Sequence, residues 1–268
     1  MTGADGSPRP DPVPPSSAEQ RDQRGLGPAL GLGPALAPAL VIAVSLVVTV
    51  VLARIVAGAA RTGVVTDPLV QVLLADVAVW IPLLAAVWWT VRGLPRSDVV
   101  LRLGLRFRVV DVFWAVAIAV FARAMDALLN LGVFGVTGLG PQLVLGDGPS
   151  PALLVLMVAG PVLVSPVVEE LFFRGVLQRS LVRWFGGSDA RPGVLAIAVG
   201  VLVSALVFAA MHLLIGSLTP ASGLVTFGST FLLGVLVGTL AATTGRIGGA
   251  ILAHVLFNAI AVVLTWSS

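Results

Sequence analysis

Long apolar runs alternate along the chain with short polar stretches that carry most of its arginines. A bilayer hydrocarbon core about 30 Å thick requires roughly 20 consecutive apolar residues of a spanning helix. On that criterion the pattern predicts an all-α, polytopic membrane helical bundle of about seven transmembrane helices. The predicted spans cover residues 35–56, 69–91, 110–132, 153–182, 193–215, 224–244 and 247–266.

The first 28 residues do not follow this pattern. They are rich in proline, glycine, serine and charged side chains and have no apolar periodicity, which is typical of disorder. The first apolar run, residues 25–53, starts too late and continues too far for a cleaved signal peptide. We therefore expect a disordered cytosolic tail at 1–28 and a transmembrane helical domain at 29–268.

Composition supports a membrane location. The chain is 57% hydrophobic and 11% charged, with a mean hydropathy of +1.05, which leaves too little polar surface for a water-soluble globule. The 16 basic residues are all arginines and are scattered, so we expect no nucleic-acid partner. The absence of cysteine excludes disulfide and thiolate chemistry. Arginine-only, alanine- and valine-rich usage is typical of high-GC bacteria and predicts a multi-pass protein of a bacterial cell (inner) membrane.

The positions of the arginines predict the orientation, because basic loops stay cytoplasmic. The connection between the second and third spans carries five arginines, whereas residues 133–150 and 213–223 carry none. Only Arg54 and Arg61 depart from this alternation. We expect the N-terminus in the cytoplasm, the C-terminus outside, and residues 94–109 as a short amphipathic element in the interface.

Ionisable side chains are concentrated in a few predicted spans. The chain has three glutamates and two histidines, and only Glu19 lies outside the apolar runs. Glu169 and Glu170 are adjacent in the fourth span, while His212 and His254 lie in the fifth and seventh. Because such groups are costly inside a membrane, their presence there indicates a functional site.

Helical spacing separates the roles of these residues. Glu170 and Arg174 are four apart, so they share a helix face and can form an ion pair. Glu169 is rotated by about 100° from Glu170, lacks that partner and is free to act as a general base. His254 and Asn258, again four apart, present an imidazole and an amide, and the amide is a suitable donor to an oxyanion.

Simpler interpretations exist for each feature. An isolated Glu–Arg pair can be a structural clamp, and an intramembrane histidine can bond a neighbouring carbonyl. Phe208 and His212 are four residues apart, so the phenyl ring of Phe208 can pack against the imidazole and exclude water or lipid from it. Asp76 in the second span and the Arg123–Asp126 pair in the third are interpreted as packing or lid groups. Close helix approach is the expected role of four glycines: Gly234, Gly238, Gly248 and Gly249.

Three short motifs therefore stand in order on three spans: Glu169-Glu170-x-x-x-Arg174, Phe208-x-x-x-His212 and His254-x-x-x-Asn258. Together they resemble the CPBP family of intramembrane proteases, which includes CAAX prenyl proteases and bacteriocin-processing or immunity proteins. The resemblance covers about residues 151–266, the expected protease core.

The resemblance implies a catalytic assignment. Glu169, with His212, would activate a water molecule, while His254 and Asn258 would polarise the scissile carbonyl and stabilise the oxyanion. Glu170 and the other supporting residues would hold the site in register. The family is described both as zinc-dependent and as metal-free. Glu169, His212 and His254 could supply three zinc ligands, but the chain has no H-E-x-x-H helix, and we favour no metal.

The expected substrate is a membrane-associated or small secreted peptide rather than a prenylated tail, since prenylation is not expected in bacteria. Two alternatives stay open: a non-catalytic immunity or scaffolding protein of the same family, and a proton-coupled transporter that uses the intramembrane acids as a relay. No internal repeat of the kind common in transporters is evident.

Depth along the membrane poses a geometric problem for this assignment. At about 1.5 Å per residue, Glu169 lies roughly 15–20 Å from the cytoplasmic end of its span and His212 roughly 30 Å from that of the fifth. Their convergence requires a tilted or later-starting fifth span, or a kink near Pro161 and Pro166. We expect the resulting cavity to open toward the cytoplasm.

Overall fold

The computed structural model describes residues 36–139, 151–186, 192–216 and 218–265. The tail expected at residues 1–28 lies outside these ranges. Every residue of the candidate site lies in the compact unit that begins at Val41.

All regular secondary structure among the described residues is helical. The helices are α1 (Leu36–Arg61), α2 (Pro68–Val91), α3 (Arg96–Leu103), α4 (Val110–Phe134), α5 (Pro151–Ala159), α6 (Ser165–Glu170), α7 (Arg179–Gly186), α8 (Val194–Ile215), α9 (Pro220–Thr244) and α10 (Gly248–Thr265). Two π-helical segments, π1 (Gly160–Val164) and π2 (Leu171–Gln178), join α5, α6 and α7 into a continuous helix, here called the fourth span.

Seven helices within the described residues are long and apolar enough to cross a membrane: α1, α2, α4, the fourth span, α8, α9 and α10. This confirms the predicted all-α, seven-span class. The short helix α3 lies within the predicted amphipathic element 94–109. The protein is therefore a multi-pass membrane protein.

Local sequence explains where several helices begin and end. Asp67 caps α2 by accepting from the amide nitrogen of Leu69 at 2.8 Å. Thr219 caps α9 in the same way, and Pro220 occupies the first turn, so this helix starts four residues before the predicted 224. The fourth span continues to Gly186, four residues beyond the predicted end at 182.

Small residues allow the inner helices to approach closely. Ala115 and Ala119 of α4 are fully buried in a cluster with alanines of α10. A Cβ at Gly234 would lie 3.1 Å from the Cα of Ala205, and one at Gly248 would lie 2.7 Å from a backbone oxygen. Gly238 and Gly249 also have neighbours inside 3.4 Å. The predicted close helix contact is confirmed for Gly234, Gly238 and Gly249, whereas Gly248 packs against Arg106 and Phe107 in the connection before α4.

The fourth span is irregular where a kink was expected, and also beyond it. Pro161, which has no N–H group, lies in π1, and the amide of Ser165 bonds the carbonyl of Gly160 across this segment. Pro166 lies in the first turn of α6. The second irregular segment, π2, contains no proline and was not predicted. Single π-helical turns are frequent at functional sites.

Polar groups near the helix ends are paired. Arg246, between α9 and α10, binds both carboxylate oxygens of Asp111, with 3.0 Å between Nε and Oδ2. This pairing raises the pKa of Arg246 above its ordinary value. Arg123 bonds Asp126 at 2.7 Å and stacks on the Phe257 ring, which supports the interpretation of that pair as a packing group.

Candidate active site

Two rows of side chains, shifted by one residue, leave the fourth span in directions about 100° apart. The cavity row consists of Ser165, Glu169 and Phe173, which line a cavity. The packed row consists of Glu170, Arg174 and Gln178, which are buried against α9 and α10.

The packed row begins with a buried ion pair. Arg174 Nη1 lies 3.0 Å from Glu170 Oε1, and both side chains are 0% exposed. The pairing that the four-residue spacing predicts is therefore present. The guanidinium also lies over the ring of Phe208, with 4.7 Å between Cζ and the ring centroid. These contacts compensate the burial of a charge that would otherwise be costly.

The packed row also binds the backbone of α9. Arg174 Nη2 donates to the carbonyl of Gly234 at 3.3 Å, and Gln178 Nε2 donates to that of Gly238 at 2.9 Å. The two glycines, four residues apart, let both side chains reach these carbonyls. The row thereby fixes the fourth span against α9.

Glu170 has a second partner that the sequence reasoning missed. Its Oε1 lies 3.0 Å from Nδ1 of His254 in α10. Because Arg174 holds Glu170 as a carboxylate, Nδ1 is the donor and Glu170 orients the ring. Sequence analysis assigned Glu170 only to Arg174, since the separation of 84 residues between Glu170 and His254 carries no helical signal.

The ring of His254 bridges the two rows. With Nδ1 held by Glu170, its Nε2 faces Glu169 and lies 3.8 Å from Oε2. Glu169 is 13% exposed in its side chain, compared with 0% for Glu170. The neighbouring carboxylates thus contact opposite nitrogens of one imidazole, but only Glu169 reaches the cavity.

The cavity has a volume of about 270 Å³ and is walled by α1, α2, the fourth span and α8. Its polar lining includes Thr49, Asp76, Glu169 and His212. The apolar remainder comprises Val79, Leu83, Phe173, Met211 and Ile215. Glu169 and His212, the residues expected to activate water, therefore line the same cavity.

The hydrogen bond of His212 defines its chemistry. Nδ1 lies 2.9 Å from the carbonyl oxygen of Phe208, one turn earlier in α8. Since a carbonyl only accepts, Nδ1 must carry the hydrogen, and in the neutral ring Nε2 keeps its lone pair. His212 can therefore accept a proton or a hydrogen bond at Nε2.

Phe208 lies between the two histidines. Its ring is 0% exposed and makes edge contacts with His212 and His254, at centroid distances of 4.6 and 5.6 Å. Phe173 packs edge-on against the same ring at 5.1 Å. This aromatic wall keeps both imidazoles in an apolar surrounding and restricts their rotation.

Asn258 is placed differently from the other candidates. Its Nδ2 donates to the carbonyl of Pro161 in π1 at 2.8 Å. Neither Asn258 nor His254 is among the residues that line the cavity. In this structure Asn258 connects α10 to the irregular part of the fourth span, and this bond uses one of its two amide hydrogens.

The candidate zinc ligands do not form a metal site as placed. His254 directs its two nitrogens to two different carboxylates, and the described residues contain no group of three His, Cys, Asp or Glu side chains able to hold a metal ion. The residues Glu169, His212 and His254 therefore do not fit a tetrahedral zinc centre in this arrangement.

The depth problem is resolved by the positions of two helix ends. Glu169 lies 17 residues before the end of the fourth span at Gly186, and His212 lies 18 residues after the start of α8 at Val194. Because these spans run antiparallel through a short connection, equal counts bring the residues to equal depth. The predicted end at 182 was too early, and no delayed start of α8 is needed.

The cavity lies toward one end of the bundle. Its wall extends to Ile215 and Gly216, where α8 ends, whereas the arginines of α7 lie near the opposite end of the bundle. The opening of this cavity toward the cytoplasm stays a prediction.

One lining residue was given no site role by the sequence reasoning. Asp76 was interpreted as a packing or lid group, yet its carboxylate lies beside Glu169 and His212 in the cavity lining. Trp80, one turn later, donates to Ser165 Oγ at 2.9 Å and fixes α2 against the fourth span. An acidic residue within an apolar span was the available signal.

Comparison with known proteins adds a family to this geometry. Residues 151–260 match the family described as Rce1-like, type II CAAX prenyl endopeptidase. No curated protein and no solved structure matches the chain. The matched segment contains all three motifs and every side chain of the packed row. Residues 151–260 are therefore similar to a family of CAAX prenyl endopeptidases, in agreement with the resemblance that the three motifs carry.

Proposed function

We propose that this protein is an intramembrane endopeptidase that hydrolyses a peptide bond of a membrane-associated or small secreted peptide. The observation that carries the proposal is the placement of Glu169 between the cavity and His254, with His212 in the same cavity lining. A carboxylate, a basic imidazole nitrogen and a fixed second imidazole are the groups that water activation and oxyanion binding require.

Glu169 is the proposed general base. A water molecule in the cavity donates one hydrogen to Glu169 and the other to Nε2 of His212, which orients its oxygen lone pair toward the substrate carbonyl. As the oxygen attacks the carbonyl carbon, Glu169 takes the proton. It then delivers this proton to the amide nitrogen as the C–N bond breaks, which yields a carboxylic acid and an amine and regenerates the base.

His254 is the proposed electrophilic group. Carboxylates lie on both sides of its ring, Glu170 at Nδ1 and Glu169 at Nε2. In the protonated ring Nε2–H donates to the oxyanion of the tetrahedral intermediate. Asn258, one turn along α10, supplies a second donor through its remaining amide hydrogen. Glu170 and Arg174 act as positioning residues because they contact His254 and α9 rather than the reacting atoms.

No step of this scheme uses a metal, consistent with the placement of the histidines. The zinc alternative is tested by metal analysis of the purified protein and by activity after chelation. If adding zinc restored the activity lost on chelation, Glu169 would be assigned as a zinc ligand instead of the general base.

The experiment that tests the proposal compares the peptides in membrane and secreted fractions of cells that express the wild type, Glu169→Gln or Glu19→Gln. Glu19 provides the matched control, because it is the only glutamate outside the spans. We expect a set of peptides that requires Glu169 and is unaffected at position 19. Incorporation of ¹⁸O from labelled water into their new C-termini would identify hydrolysis.

Identical peptide profiles in all three strains would contradict a protease and favour the non-catalytic alternatives. A transporter would instead be revealed by proton uptake in vesicles containing the purified protein, lost in Glu169→Gln.

A further inference from the structure

Asp76 is an acidic side chain of the cavity that the proposed mechanism does not use. It lies in α2, outside the matched segment 151–260 and outside the three motifs. Its carboxylate contributes to the cavity lining together with Glu169 and His212. Its Oδ2 is buried and has no hydrogen-bond partner among the described residues.

Packing alone does not account for a carboxylate at this position. The side chain lies against Gly160, where an added Cβ would be 2.6 Å from Oδ2. An amide or a leucine would fill comparable space without an uncompensated charge. An acidic group left without a partner in an apolar span is costly, which indicates that its partner arrives with a ligand.

The charges around the cavity show which ligand this would be. Asp76 and Glu169 are its acidic groups, and none of the described lining residues is an arginine. Arg174, on the far side of the fourth span, is already paired with Glu170. Arg54 bonds the carbonyl of Gly216 at the cavity wall but is not itself a lining residue. The cavity therefore attracts cations and disfavours acidic groups.

We propose that Asp76 is a specificity-determining residue that selects peptides with a positively charged group, a lysine or arginine side chain or a free amino terminus, beside the scissile bond. The ammonium or guanidinium donates to the carboxylate of Asp76 in a charge-assisted hydrogen bond. This inference rests on the proposed peptidase function and adds a substrate class to it.

The size of the cavity sets how close this charge lies to the cleaved bond. A volume of about 270 Å³ is at the low end for ligand pockets, which are typically about 300–1,000 Å³. It holds a short piece of peptide, and Asp76 and Glu169 share that space. A cation bound at Asp76 therefore belongs to a residue next to the peptide bond that the water molecule activated by Glu169 attacks.

The test measures binding without turnover. The full chain carrying Glu169→Gln is placed in neutral phosphatidylcholine nanodiscs and mixed with pools of end-capped pentapeptides. Each pool has lysine, glutamine or glutamate at the centre and random small or apolar residues elsewhere, and bound peptides are quantified by mass spectrometry. We expect the lysine pool to be retained about tenfold over the glutamine pool, with the glutamate pool depleted.

Adding Asp76→Asn should reduce the preference for lysine to within about twofold, since the amide keeps the size but not the charge. Asp67→Asn provides the matched control on the same helix: Asp67 caps α2 outside the cavity, and asparagine also caps. Preserved selectivity in this control, with unchanged thermal unfolding in all variants, would assign the effect to the charge at position 76.

Equal retention of the lysine and glutamine pools, or a lysine preference that persists in Asp76→Asn, would overturn the inference. Failure to retain any pool would overturn it as well. The peptidase proposal is judged separately, by peptides that depend on Glu169 in cells. Cleavage sites without basic neighbours would contradict the role of Asp76 but would still support the peptidase proposal.

Discussion

The cavity row and the packed row show how one helix can hold two chemically different sets of groups. In the packed row, Glu170, Arg174 and Gln178 are all buried and are bonded to α9 or α10. In the cavity row, Glu169 keeps an exposed fraction and lines the cavity. The same residue type is a structural anchor in one row and the proposed general base in the other.

The difference follows from rotation about the helix axis. Adjacent residues of a helix are turned by about 100°, so Glu169 and Glu170 cannot share an environment. The packed row compensates its charges within the protein, and this rigidity orients His254 for the cavity row. Stability and reactivity are therefore separated onto two sides of the fourth span, and substitutions should separate them too.

The largest effect is expected for Glu169→Gln. Turnover should fall by roughly a thousandfold or more, because the amide cannot accept the proton of water. The midpoint of thermal unfolding in detergent should stay near that of the wild type, since glutamine keeps the size of the side chain and Glu170 still holds the ring of His254. Cleavage of a Glu169-dependent peptide by purified protein gives the rate. Comparable rates in both proteins would remove Glu169 from the mechanism.

A loss of stability is the main effect expected for Arg174→Ala in the packed row. It leaves Glu170 buried without its cation and should lower the free energy of unfolding by about 3–5 kcal/mol. Unfolding in detergent measures this loss, with the exposed Arg61→Ala as the control. Unchanged stability of Arg174→Ala would show that the packed row does not depend on this ion pair.

Asn258→Ala tests whether a residue outside the cavity row and the packed row contributes to both stability and catalysis. Loss of its bond to Pro161 should cost about 1 kcal/mol of stability, and loss of an oxyanion donor should lower kcat by roughly a hundredfold. Asn130→Ala is the control, because its amide bonds a carbonyl within its own helix. A stability loss without a kcat effect would restrict Asn258 to packing.

A smaller effect is expected where the packed row meets α9. Gly234→Ala would place a Cβ 3.0 Å from that of Ala205 and should cost about 1–3 kcal/mol through overpacking. Gly58→Ala provides the control, because a Cβ there meets nothing within 4 Å. Equal thermal stability of the two variants would contradict the inference that Arg174 is held in place by the close packing of α9 at Gly234.

Most of the architecture followed from the sequence. Seven apolar runs of membrane length predicted seven spans, since a bilayer admits few alternatives to a helix. The ion pair of Glu170 with Arg174 followed from the four-residue spacing, and the close contacts at Gly234 and Gly238 followed from small residues in apolar runs. Each of these predictions depends on neighbours along one helix.

Predictions that combined several helices were less accurate. The predicted end of the fourth span was four residues too early, and this error shifts every residue before it by about 6 Å relative to α8. Asp76 was interpreted as a packing or lid group because no motif residue accompanies it along its helix, yet it lies in the cavity lining with Glu169.

The sequence by itself determined the class of protein, the number of spans and the small set of residues able to do chemistry, because hydrophobic length and helical spacing are local properties. Only the tertiary structure decided that Glu170 would hold His254, that Asp76 would join Glu169 at the cavity, and that π2 would follow the acidic pair. These outcomes depend on the rotation and register of helices distant in sequence, which are fixed by packing between their surfaces.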